Sequence, residues 1–115
     1  MVTFICEGWT DHDAIRRVYE NPDQVHTIVL HGTKFNNSIR SQIEEAMQKG
    51  KVYILTDPDS SGDHIARVIS DYYGLSRIEA DPLKARFFRT GKGYKYGIEY
   101  CSVDYLRELL GGYVE

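Results

Sequence analysis

The chain has 115 residues, 42% of them hydrophobic and 27% charged, proportions that fit a globular protein and are too apolar for a disordered tail. One domain over residues 1–115 is the expected organisation at this length. No apolar run approaches the roughly 20 residues that cross a bilayer, and the first residues lack a basic flank and a cleavage site, so a cytoplasmic protein with no membrane partner is expected.

Two cysteines, Cys6 and Cys101, are too few for a disulfide scaffold or a four-thiolate zinc site and read as reduced thiols. The formal charge of −3 is unevenly spread. Lys84, Arg86, Arg89, Lys92 and Lys95 fall between residues 82 and 98 with no acid among them, which leaves the rest of the chain markedly acidic. Such asymmetry suits a polyanion bound on one side.

In chain order, Val2 to Cys6 is β-branched and aromatic and stops at Glu7-Gly8, the pattern of a strand. From Asp11 to Glu20 the apolar positions Ala14, Ile15, Val18 and Tyr19 share a helical face, and Pro22 ends the segment. His26 to Leu30 reads as a second strand. Ile39, Ile43, Ala46 and Met47 mark a helix that ends at Gly50. Val52 to Leu55 is a third strand, followed by a helix carrying Ile65, Val68, Ile69 and Tyr72 up to Gly74. A fourth strand is expected near Arg77 to Ala80, the basic stretch reads as a loop, and Ser102 can cap a last helix carrying Val103, Leu106 and Leu110. Strands alternating with amphipathic helices predict an α/β, Rossmann-like fold, with a central parallel sheet of about four strands and helices on both faces. In such sheets the site lies beyond the carboxyl ends of the strands, where Glu7, His31-Gly32 and Asp57 to Gly62 all fall.

The segment from Thr56 to Asp63 directly follows an apolar strand. Pro58 favours extended geometry at Asp57, which would aim the Asp57 and Asp59 carboxylates to one side. At ~4 Å and an effective dielectric near 20, their repulsion is on the order of 4 kcal/mol, and a divalent cation with oxygen ligands, such as magnesium, would relieve it. A simpler reading of the same residues is that Asp59 or Ser60 caps the following helix while Asp63 complements its dipole. Glu7, at the end of a neighbouring strand, is either solvated or a third ligand or proton-transfer group. His12, between Asp11 and Asp13, reads as part of a solvated helix start, and His64 as a surface residue. The interleaved rings and cations from Arg86 to Tyr96 suit nucleic acid, with cations on phosphates and rings on unpaired bases.

Ile5-Cys6-Glu7-Gly8-Trp9-Thr10-Asp11 resembles the V-E-G-x-x-D motif of the Toprim domain, and Asp57-Pro58-Asp59-Ser60-Ser61-Gly62-Asp63 its D-x-D-x-x-G-E motif, with Asp63 in place of the usual Glu. His31-Gly32-Thr33 stands where that family has an Asn-Gly-Ser turn. Lys95-Tyr96-Gly97-Ile98-Glu99-Tyr100-Cys101-Ser102 is similar to a segment of the Toprim ribonucleases that mature 5S ribosomal RNA. The resemblance implies a Toprim fold, a catalytic Mg2+ held by Glu7, Asp57 and Asp59, proton movement by Glu7, and cleavage of phosphodiesters in structured RNA more readily than in DNA. Asp11, Gly32, Asp63 and Glu99 would support the site, and Lys84, Arg86, Arg89, Lys92 and Lys95 would hold the nucleic acid. A protein partner could supply a substrate-binding region. DNA nicking or nucleotidyl transfer with a partner subunit, and a catalytically weak nucleic-acid adaptor, are the rival readings.

Overall fold

The computed structural model describes residues 1–19, 21–32 and 35–114. Its central element is β1 (Val2–Cys6), buried along its whole length. Strand β1 lies between β2 (Val25–Val29) and β3 (Lys51–Ile54) in a parallel sheet of order β2-β1-β3, with Ile5 opposite both Ile28 and Ile54. The chain passes to one side of β1 and then to the other, which opens a crevice at the carboxyl ends of β1 and β3.

Because successive strand residues face opposite ways, β1 serves two cores. Val2, Phe4 and Cys6 pack with Ala14 and Ile15 of α1 (Trp9–Arg16) and with Leu106 and Leu110 of α4 (Val103–Leu110). Ile5 packs with Ile39 and Ile43 of α2 (Asn37–Lys49) and with Ala66 and Ile69 of α3 (Ser60–Tyr73). Helices therefore cover both faces, as expected for a doubly wound α/β fold. The helix ends follow local chemistry: Asn36, Asp59 and Ser102 each accept a backbone N–H from the first turn that follows, which satisfies donors that have no partner inside the helix.

Three expectations are corrected. Helix α1 begins and ends earlier than Asp11 to Glu20; Val18 and Tyr19 still pack on the core beyond its end, and Glu20 lies outside the described residues. The fourth strand is reduced to one parallel bridge between Ile54 and Arg77, with Ile54 N–H donating to the Ser76 carbonyl and Ile78 N–H to the Ile54 carbonyl. Ile78 and Ala80 are buried as the alternation requires, but the chain after Leu55 turns into the loop before α3 and offers no further backbone to pair with, and Pro82 removes a donor. The sheet thus has three strands.

The third correction concerns the basic stretch, which is not a loop. It forms an antiparallel hairpin of β4 (Arg86–Arg89) and β5 (Gly93–Tyr96). Phe87, Phe88, Tyr94 and Tyr96 are strong strand formers, and Gly91 and Gly93 supply the positive φ angles of 78° and 77° on which the turn depends.

One close approach fixes the loop after β3. A Cβ at Gly62, in the first turn of α3, would overlap the Asp57 carbonyl oxygen. Gly62→Ala is expected to cost on the order of 3 kcal/mol through overpacking, lowering the melting temperature followed by circular dichroism by about 10 °C or more. An unchanged melting curve would show that the loop can move off α3 without penalty.

Candidate active site

Glu7 leaves the end of β1 and Asp57 follows β3 by three residues, so adjacent parallel strands deliver the two acids to one place. Their connection is direct. The Asp57 backbone N–H donates to Glu7 Oε2 at 2.7 Å, continuing the β1–β3 pairing one step past Leu55 N–H, which donates to the Ile5 carbonyl at 2.8 Å. Asp57 Oδ1 accepts the Ile98 N–H at 2.8 Å. The Arg77 guanidinium holds the same loop from outside, donating to the Asp57 carbonyl at 2.9 Å and to Asp63 Oδ1 at 2.6 Å.

Asp59 is placed differently from the extended geometry expected around Pro58. Its N–H donates to the Asp57 carbonyl at 2.9 Å, so residues 57–59 form a tight turn, and its Oδ1 accepts the Gly62 N–H at 2.7 Å. The helix-capping reading of Asp59 is thus realised, and the negative charge of Asp59 is still felt at Asp57.

Asp11 is the most buried acid among the described residues, 4% exposed. Its two oxygens accept the Gly8 N–H at 3.1 Å and the Glu99 N–H at 3.0 Å, which ties the start of α1 to the short 3-10 helix Ile98–Tyr100. Burial, and then the charge of Asp57, push its carboxyl from an ordinary 3.8 up to about 7. Asp57 rises from 3.8 to about 8, through burial first and then the Glu7 carboxylate beside it. Burial, with Asp11, Asp57 and Glu7 adding to it, also drives the Cys6 thiol far above its ordinary value, so this residue is an inert apolar filler, not a nucleophile. Both cysteines are free.

The remaining candidates separate. Glu99 contributes its backbone N–H to Asp11. Gly32 N–H reaches the Glu7 carbonyl at 3.4 Å, while Thr33 of the expected turn lies outside the described residues. Asp63 pairs with Arg77 on an exposed flank and acts on Asp57 only through that guanidinium. His12 is not a free helix start: it is half-buried, with Nδ1 hydrogen-bonded to Thr27 Oγ1 and its ring edge-on to Trp9. Arg77 and the Ile98 N–H were not singled out from sequence. An arginine in a presumed strand carries no signal of its reach, and a backbone donor leaves no trace in residue type.

Among the described residues no three acid, imidazole or thiol groups close into a ready-made metal cage. The acids expected as ligands instead present an open set. Glu7, Asp57 and Asp59 each commit one oxygen to a backbone N–H, and the Glu7 and Asp57 carboxyls also lie within hydrogen-bonding reach of each other. This fits a hard cation that takes one or two carboxylates and fills its other positions with water and phosphate oxygens. The upward shift of Asp57 is the sign of uncompensated charge that such an ion would relieve.

The hairpin approaches the acids through Phe87, whose ring stacks on Tyr100 at 5.5 Å, next in sequence to Glu99. Pairing of Arg86 with Tyr96 and of Phe88 with Tyr94 puts these four side chains on one face of the ribbon, where the Arg86 guanidinium lies 3.9 Å from the Tyr94 ring centre. Phe87, Arg89 and Lys95 share the other face. Lys92 is in the turn, and Lys84 precedes the ribbon in an exposed turn.

The raised acids set the pH response. Between about pH 4 and about pH 8 the unfolded chain has released protons that folded Asp57 and Asp11 retain, so folding takes up protons and stability falls as pH rises, levelling above pH 8. Asp57→Asn keeps the acceptor for Ile98 N–H without the charge. It is expected to flatten this slope and to raise the melting temperature at pH 8 by ~5 °C; a parallel pH profile for the two proteins would contradict it.

Comparison with known proteins bears on this arrangement. Residues 2–90 match the Toprim domain family. The chain is 35% identical to Ribonuclease M5 of Mycoplasma capricolum over 92% of its own length and 57% of that protein. It is 31% identical to Ribonuclease M5 of Bacillus anthracis (92% and 54%) and 30% identical to that of Staphylococcus aureus (92% and 56%). The chain thus spans little more than half the length of these relatives. With the family match covering both acid-bearing strands and the turn between Asp57 and Gly62, the chain belongs to the Toprim domain family.

Proposed function

We propose that this protein is a magnesium-dependent nuclease that cleaves phosphodiesters in structured RNA, with Glu7, Asp57 and Asp59 as its acidic centre. The observation that carries the reading is the 2.7 Å hydrogen bond from Asp57 N–H to Glu7 Oε2, which puts acids from two separate motifs in one crevice. The relatives named ribonucleases support RNA as the substrate.

Asp57 and Asp59 would hold Mg2+ through the carboxylate oxygens that accept no backbone N–H, with Glu7 at its edge. Bound there, Mg2+ supplies charge stabilisation at the scissile phosphate. The protein's own groups do the rest. Glu7, with one oxygen fixed by Asp57 N–H, has the other available to take a proton from water or return one to the leaving oxygen. Asp11 and Glu99 hold the start of α1 and the 98–100 turn in register, so that Ile98 N–H keeps Asp57 in place. Arg77, anchored by Asp63, fixes the Asp57 backbone. No helix among the described residues is long and apolar enough to cross a membrane, and RNA in the cytoplasm is the proposed setting.

The test is cleavage of duplex RNA and duplex DNA with and without Mg2+. Glu7→Gln is expected to lower the rate by about 10²–10⁴-fold with the fold intact. Asp59→Asn separates two roles, because asparagine caps a helix as well as aspartate does; it should retain wild-type stability while the Mg2+ requirement shifts to higher concentration. Equal cutting by wild type and Glu7→Gln would end the hydrolytic scheme. Absence of cutting on either nucleic acid, with Mg2+ still raising the melting temperature, would favour the adaptor.

The ribbon faces make a second prediction. Arg89→Ala and Lys95→Ala should each reduce the salt slope of RNA binding by about 1, the loss of one phosphate contact. Arg86→Ala should leave the slope nearly unchanged, because Arg86 is engaged with Tyr94 on the opposite face. Equal losses for all three would mean that the ribbon does not present one face to the substrate.

A further inference from the structure

Beside the acids lies a groove of about 400 Å³ lined by Glu7, Leu30, Gly32, Phe35, Ser61, His64, Ile65 and Val68. Its size is in the lower part of the roughly 300–1,000 Å³ range of ligand pockets, and like them it combines apolar walls with a few polar groups. Its origin is a double use of α3. Gly62, Ala66 and Ile69 face the core, whereas Ser61, His64, Ile65 and Val68 recur at i, i+3, i+4 and i+7, one stripe of the same helix. That second stripe is more apolar than a solvent face requires.

The far wall is braced. The Phe35 ring packs edge-on against Tyr72 and Tyr73, at 5.3 and 5.9 Å, and the Arg40 guanidinium lies over it at 4.9 Å. Phe35 is thus held in place before any ligand arrives. Ser61 and His64 make no side-chain hydrogen bond among the described residues and are exposed, so their polar atoms are available to a ligand. Glu7 belongs to both sites, and Gly32 touches the acidic centre only through its backbone N–H, which reaches the Glu7 carbonyl.

We propose that this groove is a nucleoside subsite that takes the base of the nucleotide next to the cleaved phosphodiester. The assignment rests on the nuclease reading above, because Glu7 forms both the edge of the acidic centre and one wall of the groove. A phosphate positioned at the acids brings an attached nucleoside within reach of that wall. The chemistry matches a heterocyclic base: Leu30, Ile65 and Val68 bury its faces, Phe35 adds an aromatic surface, and Ser61 and His64 meet its polar edge or the ribose hydroxyls. A base can enter only when it is unpaired, so the subsite would select an unpaired or displaced nucleotide at the cleavage position.

The test uses the full chain with Mg2+ present, followed by amide chemical shifts. Adenosine and uridine 5′-monophosphates are titrated in parallel with inorganic phosphate and ribose 5-phosphate. The nucleotides, and not the two base-free probes, are expected to shift Phe35, Ser61, Ile65 and Val68 saturably. Val68→Phe, which fills the groove, should weaken nucleotide binding by about tenfold while Mg2+ raises its melting temperature as in wild type. Val68→Ala, which enlarges the groove without crowding it, serves if Val68→Phe fails to fold and should alter the preference between adenosine and uridine nucleotides. Equal shifts from phosphate and nucleotides, shifts confined to the hairpin, or undiminished binding by Val68→Phe would overturn the subsite. RNA cleavage that continues in Val68→Phe at the wild-type rate would also overturn it and leave the nuclease reading standing. Base binding in the groove of a wild-type protein that cuts no nucleic acid would support the subsite and overturn that reading.

Discussion

The structure turns on a backbone amide of one strand finding a carboxylate of its neighbour. In a parallel sheet the last residues of each strand run out of partners, and their N–H groups must be satisfied elsewhere. Here Asp57 N–H, one step beyond the end of the β1–β3 pairing, donates to Glu7 Oε2. The ladder is in effect extended by a side chain, so the relative position of Glu7 and Asp57 is set by strand register and does not depend on a flexible loop. Any shift of β3 against β1 would break this bond and move one acid away from the other.

The same device recurs around the crevice. Gly8, Gly62, Ile98 and Glu99 each give a backbone N–H to a carboxylate, and the one ion pair bordering the acids among the described residues, Arg77 with Asp63, lies on the exposed flank. Backbone donors orient a carboxylate without cancelling its full charge. Burial first, with the neighbouring acids adding to it, pushes Asp57 and Asp11 up to about 8 and about 7, a shift that arginine neighbours at hydrogen-bond distance would oppose. The fold thus carries an electrostatic cost at this point, offset by two well-packed cores on either side of β1.

How much of this was legible in the sequence differs by element. The alternation of short apolar runs with amphipathic helices predicted the parallel sheet and its two covered faces, because both depend on residue period alone. The crevice was legible for the same reason: once Glu7 and Asp57 end parallel strands, proximity follows from topology. The fourth strand was not, since Ile78 and Ala80 alternate correctly and only the path of the chain after Leu55 denies them a partner. The hairpin was missed because its positive charges obscured four aromatic strand formers and two turn glycines. Ile65 and Val68 served in the sequence only to mark a helix, and the placement of Phe35 beside them shows that their stripe borders open space.

These placements give the crevice two different flanks. The groove is built from the side of the sheet that α2 and α3 cover, as Leu30 and Ile65 belong to that packing. The 98–100 turn and the base of the hairpin are built from the other side, where Ile98 and Ala85 pack with α1 and α4. The acids lie between, at the edge where the two meet. A polymer crossing the carboxyl end of the sheet would therefore meet an apolar recess on one side of the acids. On the other it would meet Phe87 stacked on Tyr100, with Arg89 and Lys95 beside it. This asymmetry gives such a strand a direction. A nucleotide on one side would be held by its base and those on the other by their phosphates, so the bond over Glu7 and Asp57 would be chosen by where an unpaired base enters and not by charge alone.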